Sequence, residues 1–130
     1  KKFGKLIQQF VEDEGTNEAM QEFVNALADL GDKVTKLTME LGMKAMGNAD
    51  EVGAAAVDYL RICGHLTFAF FFARMAKIAL AKQGSGDPFY TAKLATARFY
   101  FAKLLPETAS LIRSCRAGLQ PLMAMDEALF

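Results

Sequence analysis

Few side chains in this sequence have the types and spacing that chemistry requires, and each has a plainer use. The single histidine, His65, stands on a helical strip with Arg61 four residues before it and Asp58 three before that. A metal centre in a helical bundle needs more, since di-iron carboxylate proteins use paired Glu-x-x-His motifs, and this strip has none. His65 therefore reads as a polar group tied to its neighbours, and Asp58 with Arg61 as an i,i+3 ion pair ordering an interface or the mouth of a bundle. Cys63 and Cys115 lack a nearby His or Lys to lower a thiol pKa. Both sit in apolar context, where a thiol usually packs as a small hydrophobe, although the sequence leaves a disulfide between them open. The Gly84-Ser85-Gly86-Asp87 stretch has the look of a phosphate loop without the substance. A true one follows a strand and carries Lys-Ser/Thr or the GxGxxG spacing, whereas this one links two helical segments. No catalytic, cofactor-binding or metal-binding residue is expected in this chain.

The element that must position these groups is Tyr59 to Leu80, YLRICGHLTFAFFFARMAKIAL. At a helical period it carries one apolar row through Tyr59, Cys63, Leu66, Phe70 and Ala73, and a second through Leu60, Gly64, Phe68, Phe71, Phe72 and Met75. A helix apolar on two faces is expected to be covered on two sides, as the central helix of a bundle. Phe68, Phe70, Phe71 and Phe72 together cover more than half its circumference. Part of that surplus, with Phe70 and Phe72 beside Asp58, Arg61 and His65, is the candidate intermolecular or interdomain surface. A spanning helix needs roughly 20 apolar residues, and here His65, Arg74 and Lys77 interrupt the run, so a core and not a membrane anchor is expected.

Around that helix the chain divides cleanly. Phe3 to Glu14 reads as a short amphipathic helix stopping at Gly15. Thr16 or Asn17 can cap the next, whose apolar residues Met20, Phe23, Leu27, Leu30, Val34, Leu37 and Leu41 alternate by three and four. This is a heptad seam on one face, with Asp29–Lys33 and Asp32–Lys36 pairs on the wet face and an end near Met46. Asp50 is expected to cap the central helix, which continues to about Gln83. Gly53 and Gly64 inside it cost roughly 1 kcal/mol each relative to Ala, a cost that close helix approach would offset. Asp87 as N-cap and Pro88 at the first helical position open a last helix with apolar rows at Leu94, Ala97, Phe101, Leu104 and Leu105 and at Phe89, Ala92, Thr96 and Phe99. Pro106 is expected to kink and not break it. Gly118 and Pro121 end it, leaving a tail to Phe130 with one helical turn. The fold class is all-α: an antiparallel up-down bundle of three long helices plus a short N-terminal helix, in a single domain over 1–130.

Composition agrees with this. The chain has 15 basic and 15 acidic side chains, 11 Phe, 7 Met, 3 Pro and no Trp, which suits a helical, heavily packed domain and carries no basic footprint for nucleic acid. Residues 1–50 hold 6 bases and 9 acids, residues 51–130 hold 9 and 6, an asymmetry that suits bundle halves attracting each other. The start, KKFGKLIQQF, has no apolar stretch behind its lysines, so no signal peptide is read and a cytoplasmic setting is expected.

The runs DEVGAAAVDYLRICGHLTFAFFFARMAKIAL and GDPFYTAKLATARFYFAKLLPETASLIRSCRAG resemble the extra C-terminal helical domain of bacterial acyl-CoA dehydrogenases, in the branch similar to the methylmercaptopropionyl-CoA and long-chain acyl-CoA enzymes. The resemblance is densest from Asp50 to Gly118, in Asp58-Tyr59-Leu60-Arg61, Ala73-Arg74-Met75, Asp87-Pro88-Phe89-Tyr90 and Lys93 to Phe101; before Gly47 only pattern and placement match. It implies a parent of about 600 residues in which FAD takes hydride from the β-carbon of an acyl-CoA thioester while a glutamate removes the α-proton. Flavin, thioester and base would all belong to a preceding catalytic core. This chain would be its accessory domain, inactive alone, packing on that core or across a homodimer. The competing reading is a free-standing helical module that binds a partner's amphipathic helix in a Phe/Met-rich groove.

Overall fold

The computed structural model describes residues 2–129, and among them every regular element is a helix. Helix α1 spans Lys2–Asp13, α2 Gln21–Gly47 and α3 Asp50–Ala81. A third rod consists of α4 (Pro88–Phe99), a wide π turn (Tyr100–Leu104) and α5 (Glu107–Arg116). A last turn, α6 (Gln120–Met123), and a 3-10 turn at Glu127–Leu129 form an exposed tail. Lys1 and Phe130, the outermost residues of the two terminal stretches read above, lie outside the described residues.

The α2 seam is buried as its spacing requires: Met20, Phe23, Leu27, Leu30, Val34, Leu37 and Leu41 all face inward. Across from it α3 presents a row dominated by alanine, Ala55, Ile62, Ala69, Ala73, Ala76 and Ala79. Small side chains there let the larger α2 residues fill the space between the helices. Phe3 and Phe10 of α1 meet Phe70 edge-on, with ring centroids 5.4 and 5.8 Å apart. Side-chain pairs fix the register. Glu14 reaches Lys77 and Thr38 reaches Tyr59 between the first part of the chain and α3. Leu119, Cys115, Glu107 and Tyr100 meet Glu51, Ala55, Arg61 and His65 in turn, so numbers fall along the third rod as they rise along α3. Glu22–Arg98 and Glu40–Arg116 tie α2 to the third rod at the same separation in sequence, 76 residues.

Local chemistry departs from the sequence reading in four places. Neither Thr16 nor Asn17 caps by its side chain; Gln21 Nε2 instead donates to the Glu14 and Asn17 carbonyls at 3.0 Å each. Asn48, not Asp50, opens α3, its Oδ1 accepting from the Asp50 N–H at 3.0 Å. A Cβ at Gly53 or Gly64 would meet nothing within 4 Å, so no close approach inside this chain explains either glycine. The Pro106 kink is made by widening. Proline offers no N–H and crowds the carbonyl four residues back, and the helix answers with a π turn in which the Leu105 N–H donates to the Tyr100 carbonyl at 2.9 Å. The inward row therefore runs Leu94, Ala97, Tyr100, Leu105, Thr108, Ile112, Cys115, with one step of five. Leu104, expected in the core, is exposed, and Tyr100 takes the place expected for Phe101.

Asp87 caps α4 as expected, accepting from the Phe89 N–H at 2.9 Å. At the other end Gly118 takes the left-handed conformation, φ +76°, and the next N–H, Leu119, donates to a Glu51 carboxylate oxygen at 2.8 Å. This pins the end of the third rod to the start of α3.

Candidate interdomain surface

Two features of α3 make up the candidate site, one apolar and one polar. The second apolar row of the central helix is uncovered in part: Leu60 is 74% exposed, Phe68 58% and Phe71 53%, with Val57 (79%) and Ile78 (55%) extending the exposed ridge. Gly64, Phe72 and Met75 of that row are half-buried. The expectation that both faces of α3 are covered is thus met in part: α1 covers Phe70 and the third rod covers Phe72, while the outer ridge stays exposed. By length and composition alone α3 is long and apolar enough to cross a membrane, despite the flanking charges. Only 33% of its most apolar window is buried.

The rings divide along the same line. Phe70 is buried against α1, and Phe72 stacks on Tyr100 at 4.7 Å, so these two expected contact residues are occupied within the chain. Phe68 and Phe71 carry the exposed surplus. Beside the ridge, between α3 and α4, lies an apolar groove of about 440 Å³ floored by Phe71, Met75, Ile78 and Phe89. Cations rim it: Arg74 lies over the Phe70 ring at 5.6 Å and Lys93 over Phe89 at 5.2 Å, geometry in which a ring face attracts positive charge.

The polar cluster is assembled across helices. Arg61 turns to Glu107 on α5 and not to Asp58, holding it through two nitrogens, the bidentate geometry that favours Arg. His65 Nε2 lies 3.4 Å from the same carboxylate. The Tyr100 hydroxyl donates to the His65 carbonyl at 3.0 Å, and with its single proton so placed, Nδ1–H of His65 donates back to the hydroxyl oxygen at 2.8 Å. Asp58 is half-buried and makes no ion pair or hydrogen bond through its side chain among the described residues. Its charge, after burial, helps raise the Cys115 thiol.

Electrostatics make this a holding arrangement. The hydrogen bond from Arg61 keeps Glu107 below the usual carboxylate range, with a smaller contribution from His65. Burial, then the Glu107 charge, pushes the Tyr100 phenol far up. Burial likewise keeps the Cys115 thiol protonated, its Sγ resting 3.8 Å from the Ala55 carbonyl. Both cysteines are free. No buried side-chain nitrogen or oxygen is left without a partner, and no three His, Cys, Asp or Glu side chains converge on a metal position among the described residues. Glu107 is thus held charged and Tyr100 and Cys115 neutral.

Tyr100 and Glu107 are the partners that sequence reading misses. The available signal is Pro106, since a proline inside a helical pattern marks a change of phase and brings unexpected residues to the inner face.

The sequence profile of the family described as acetyl-CoA dehydrogenase C-terminal like matches residues 3–126. No curated protein is similar enough to count as a relative. With nearly its whole length matched by that profile, this chain belongs to the acetyl-CoA dehydrogenase C-terminal-like family.

Proposed function

We propose that this chain is the accessory C-terminal domain of an FAD-dependent acyl-CoA dehydrogenase of the branch resembling the methylmercaptopropionyl-CoA and long-chain enzymes. Its role is structural: an antiparallel up-down bundle of α2, α3 and the third rod, closed by α1, whose α3 ridge docks within the parent enzyme, on the catalytic core or across a homodimer. The register pairs along α3 support the bundle. The observation that carries the docking role is the pairing of an uncovered apolar ridge with buried polar groups that are all engaged inside the chain. Monomeric surfaces seldom leave contiguous apolar area of this kind unpartnered.

The α,β-dehydrogenation of an acyl-CoA thioester belongs, in this reading, to the core of the parent, and the isolated chain is inactive. The residues here do not fit a flavin. The groove beside α3 is lined by rings and aliphatic side chains with Tyr90, Arg74 and Lys93 as its polar groups, too few to meet the ring carbonyls and nitrogens and a pyrophosphate together. The proposed setting is the bacterial cytoplasm, with the core and a second subunit as partners and neither nucleic acid nor membrane among them.

The test is the intact mass and visible absorbance of the native polypeptide. A chain on the order of 60 kDa or more with bound flavin supports the reading. A colourless native chain of 14.2 kDa overturns it and favours the second reading, a free helical module. The cation-rimmed Phe/Met groove supports that alternative, because it is shaped for an amphipathic helix with acidic flanks.

A further inference from the structure

We propose that the α3 ridge is the seam of a symmetric dimer, in which two copies of this chain lay α3 against α3 in antiparallel fashion and Phe71 of each fills the gap left by Gly64 of the other. This rests on the reading above that the ridge docks and does not face water, and it names the occupant.

The spacing carries the argument. About a point midway between Thr67 and Phe68, residues on this face fall in pairs at equal distances: Val57 with Ile78, Leu60 with the half-buried Met75, and Gly64 with Phe71. A two-fold axis through that point sets each residue against its mate, which is what an isologous interface requires. The three pairs also match in size, with two aliphatic couples and one couple that joins the smallest side chain to one of the largest.

Gly64 suits this pairing. It lies in the middle of a 32-residue helix, where glycine weakens the helix relative to alanine, and a Cβ there would touch nothing within 4 Å. Gly53 in the same helix and Gly31 and Gly42 in α2 are equally open, but Gly64 alone of these stands opposite Phe71 in the proposed seam, where close approach to a helix backbone is one use of glycine.

Charge points the same way. The first part of α3 carries Asp50, Glu51 and Asp58, and the far end carries Arg74 and Lys77 with Lys82 just beyond. Antiparallel pairing sets each end against its opposite and aligns the two helix dipoles favourably. Asp50 and Asp58 face the end that carries Arg74 and Lys82, while Glu51 and Lys77 are already held by Leu119 and Glu14. Arg61 opposite Arg74 is the like-charge meeting, and Glu107 already neutralises Arg61. Val57, Leu60, Phe68, Phe71 and Ile78 are each more than half exposed and offer roughly 100 Å² apiece. Two such faces bury on the order of 1,000 Å², about the least that a specific interface buries.

The experiment uses the intact polypeptide that carries this domain. Phe68→Cys, next to the proposed axis, gives a disulfide-linked dimer under mild oxidation, with the link mapped to 68–68 by peptide mass spectrometry. Leu60→Cys alone gives none, because its two copies lie 15 residues apart along the seam, about 22 Å, beyond disulfide reach. Adding Met75→Cys restores a link, between 60 and 75. Gly64→Leu in the Phe68→Cys background lowers the 68–68 yield at least about fivefold by filling the gap, with the far-UV spectrum unchanged. If the thiol introduced at position 68 resists alkylation in the native chain but forms no 68–68 link, the ridge is covered by the core; the pairing is overturned and the docking role stands. If that thiol is alkylated as fast as a free one in solution, the pairing and the docking role both fall.

Discussion

Removing one oxygen atom, in Tyr100→Phe, tests whether the inter-helical cluster holds the third rod against α3. The substitution keeps the ring, which stacks on Phe72 at 4.7 Å and meets Phe101 edge-on at 5.6 Å, so no cavity term enters. What is lost is the donation to the His65 carbonyl at 3.0 Å and the acceptor for His65 Nδ1 at 2.8 Å. Each such bond contributes about 0.5–1.5 kcal/mol net. The His65 side chain is 13% exposed, so water reaches the orphaned nitrogen in part. The expected loss is about 1–2 kcal/mol, a fall of roughly 3–8 °C in Tm for a domain of this size. Urea and thermal unfolding followed by far-UV circular dichroism give the number. Tyr90→Phe is the control, since its hydroxyl makes no hydrogen bond among the described residues, and it should stay within about 0.5 kcal/mol. A pH series adds a sign. Burial raises the folded pKa of Tyr100 above its ordinary 10.0, so its contribution is complete below that value and is lost as pH climbs beyond it. The variant should lack that part of the alkaline loss. Equal stabilities for Tyr100→Phe and Tyr90→Phe would refute the view that the cluster binds the helices together.

Two further outcomes follow from the same contacts. Gly118→Ala places a Cβ 3.0 Å from Glu51 Oε2 at φ +76°, so it should cost about 1–2 kcal/mol for the left-handed backbone and more for the displaced bond to Leu119; in a Glu51→Ala background only the backbone cost remains, and a double-mutant cycle by urea unfolding reads the difference. Glu107 is held below its ordinary 4.5, chiefly by the Arg61 hydrogen bond. Its contribution is therefore present above that value and disappears as pH falls through the depressed one, so Glu107→Gln should be the less stable near pH 7 and converge on the parent chain as the solution is made strongly acidic.

How much of this can be read from the residues depends on how far apart the partners stand. The α2 seam is legible because one face, one period and one partner surface agree, and all seven of its residues are buried. The two apolar rows of α3 are equally visible, yet periodicity identifies which faces are apolar and not which of them this chain covers. Asp58 and Arg61 lie one turn apart and suggest a pair. Arg61 instead finds Glu107, 46 residues on, since a long guanidinium on an exposed helix face takes whichever carboxylate the packing delivers. Asp50 loses the capping role to Asn48 by two residues, within the uncertainty natural to helix ends. His65 is readable as a tied polar group, but its partner Tyr100 is hidden behind Pro106, because an α-helical wheel cannot anticipate a five-residue turn.

That wide turn makes the third rod two helices in series with separate phase. In a rod of uniform pitch, rotating one end rotates the other, and a single inserted or deleted residue swings everything beyond it by about 100°. The turn at Tyr100–Leu104 absorbs such a step. The α4 half, with Leu94 and Ala97, and the α5 half, with Ile112 and Cys115, can each be indexed to its own stretch of α3. It is also the place along the rod where the chain can gain or lose a residue in descent while both halves keep their inward faces.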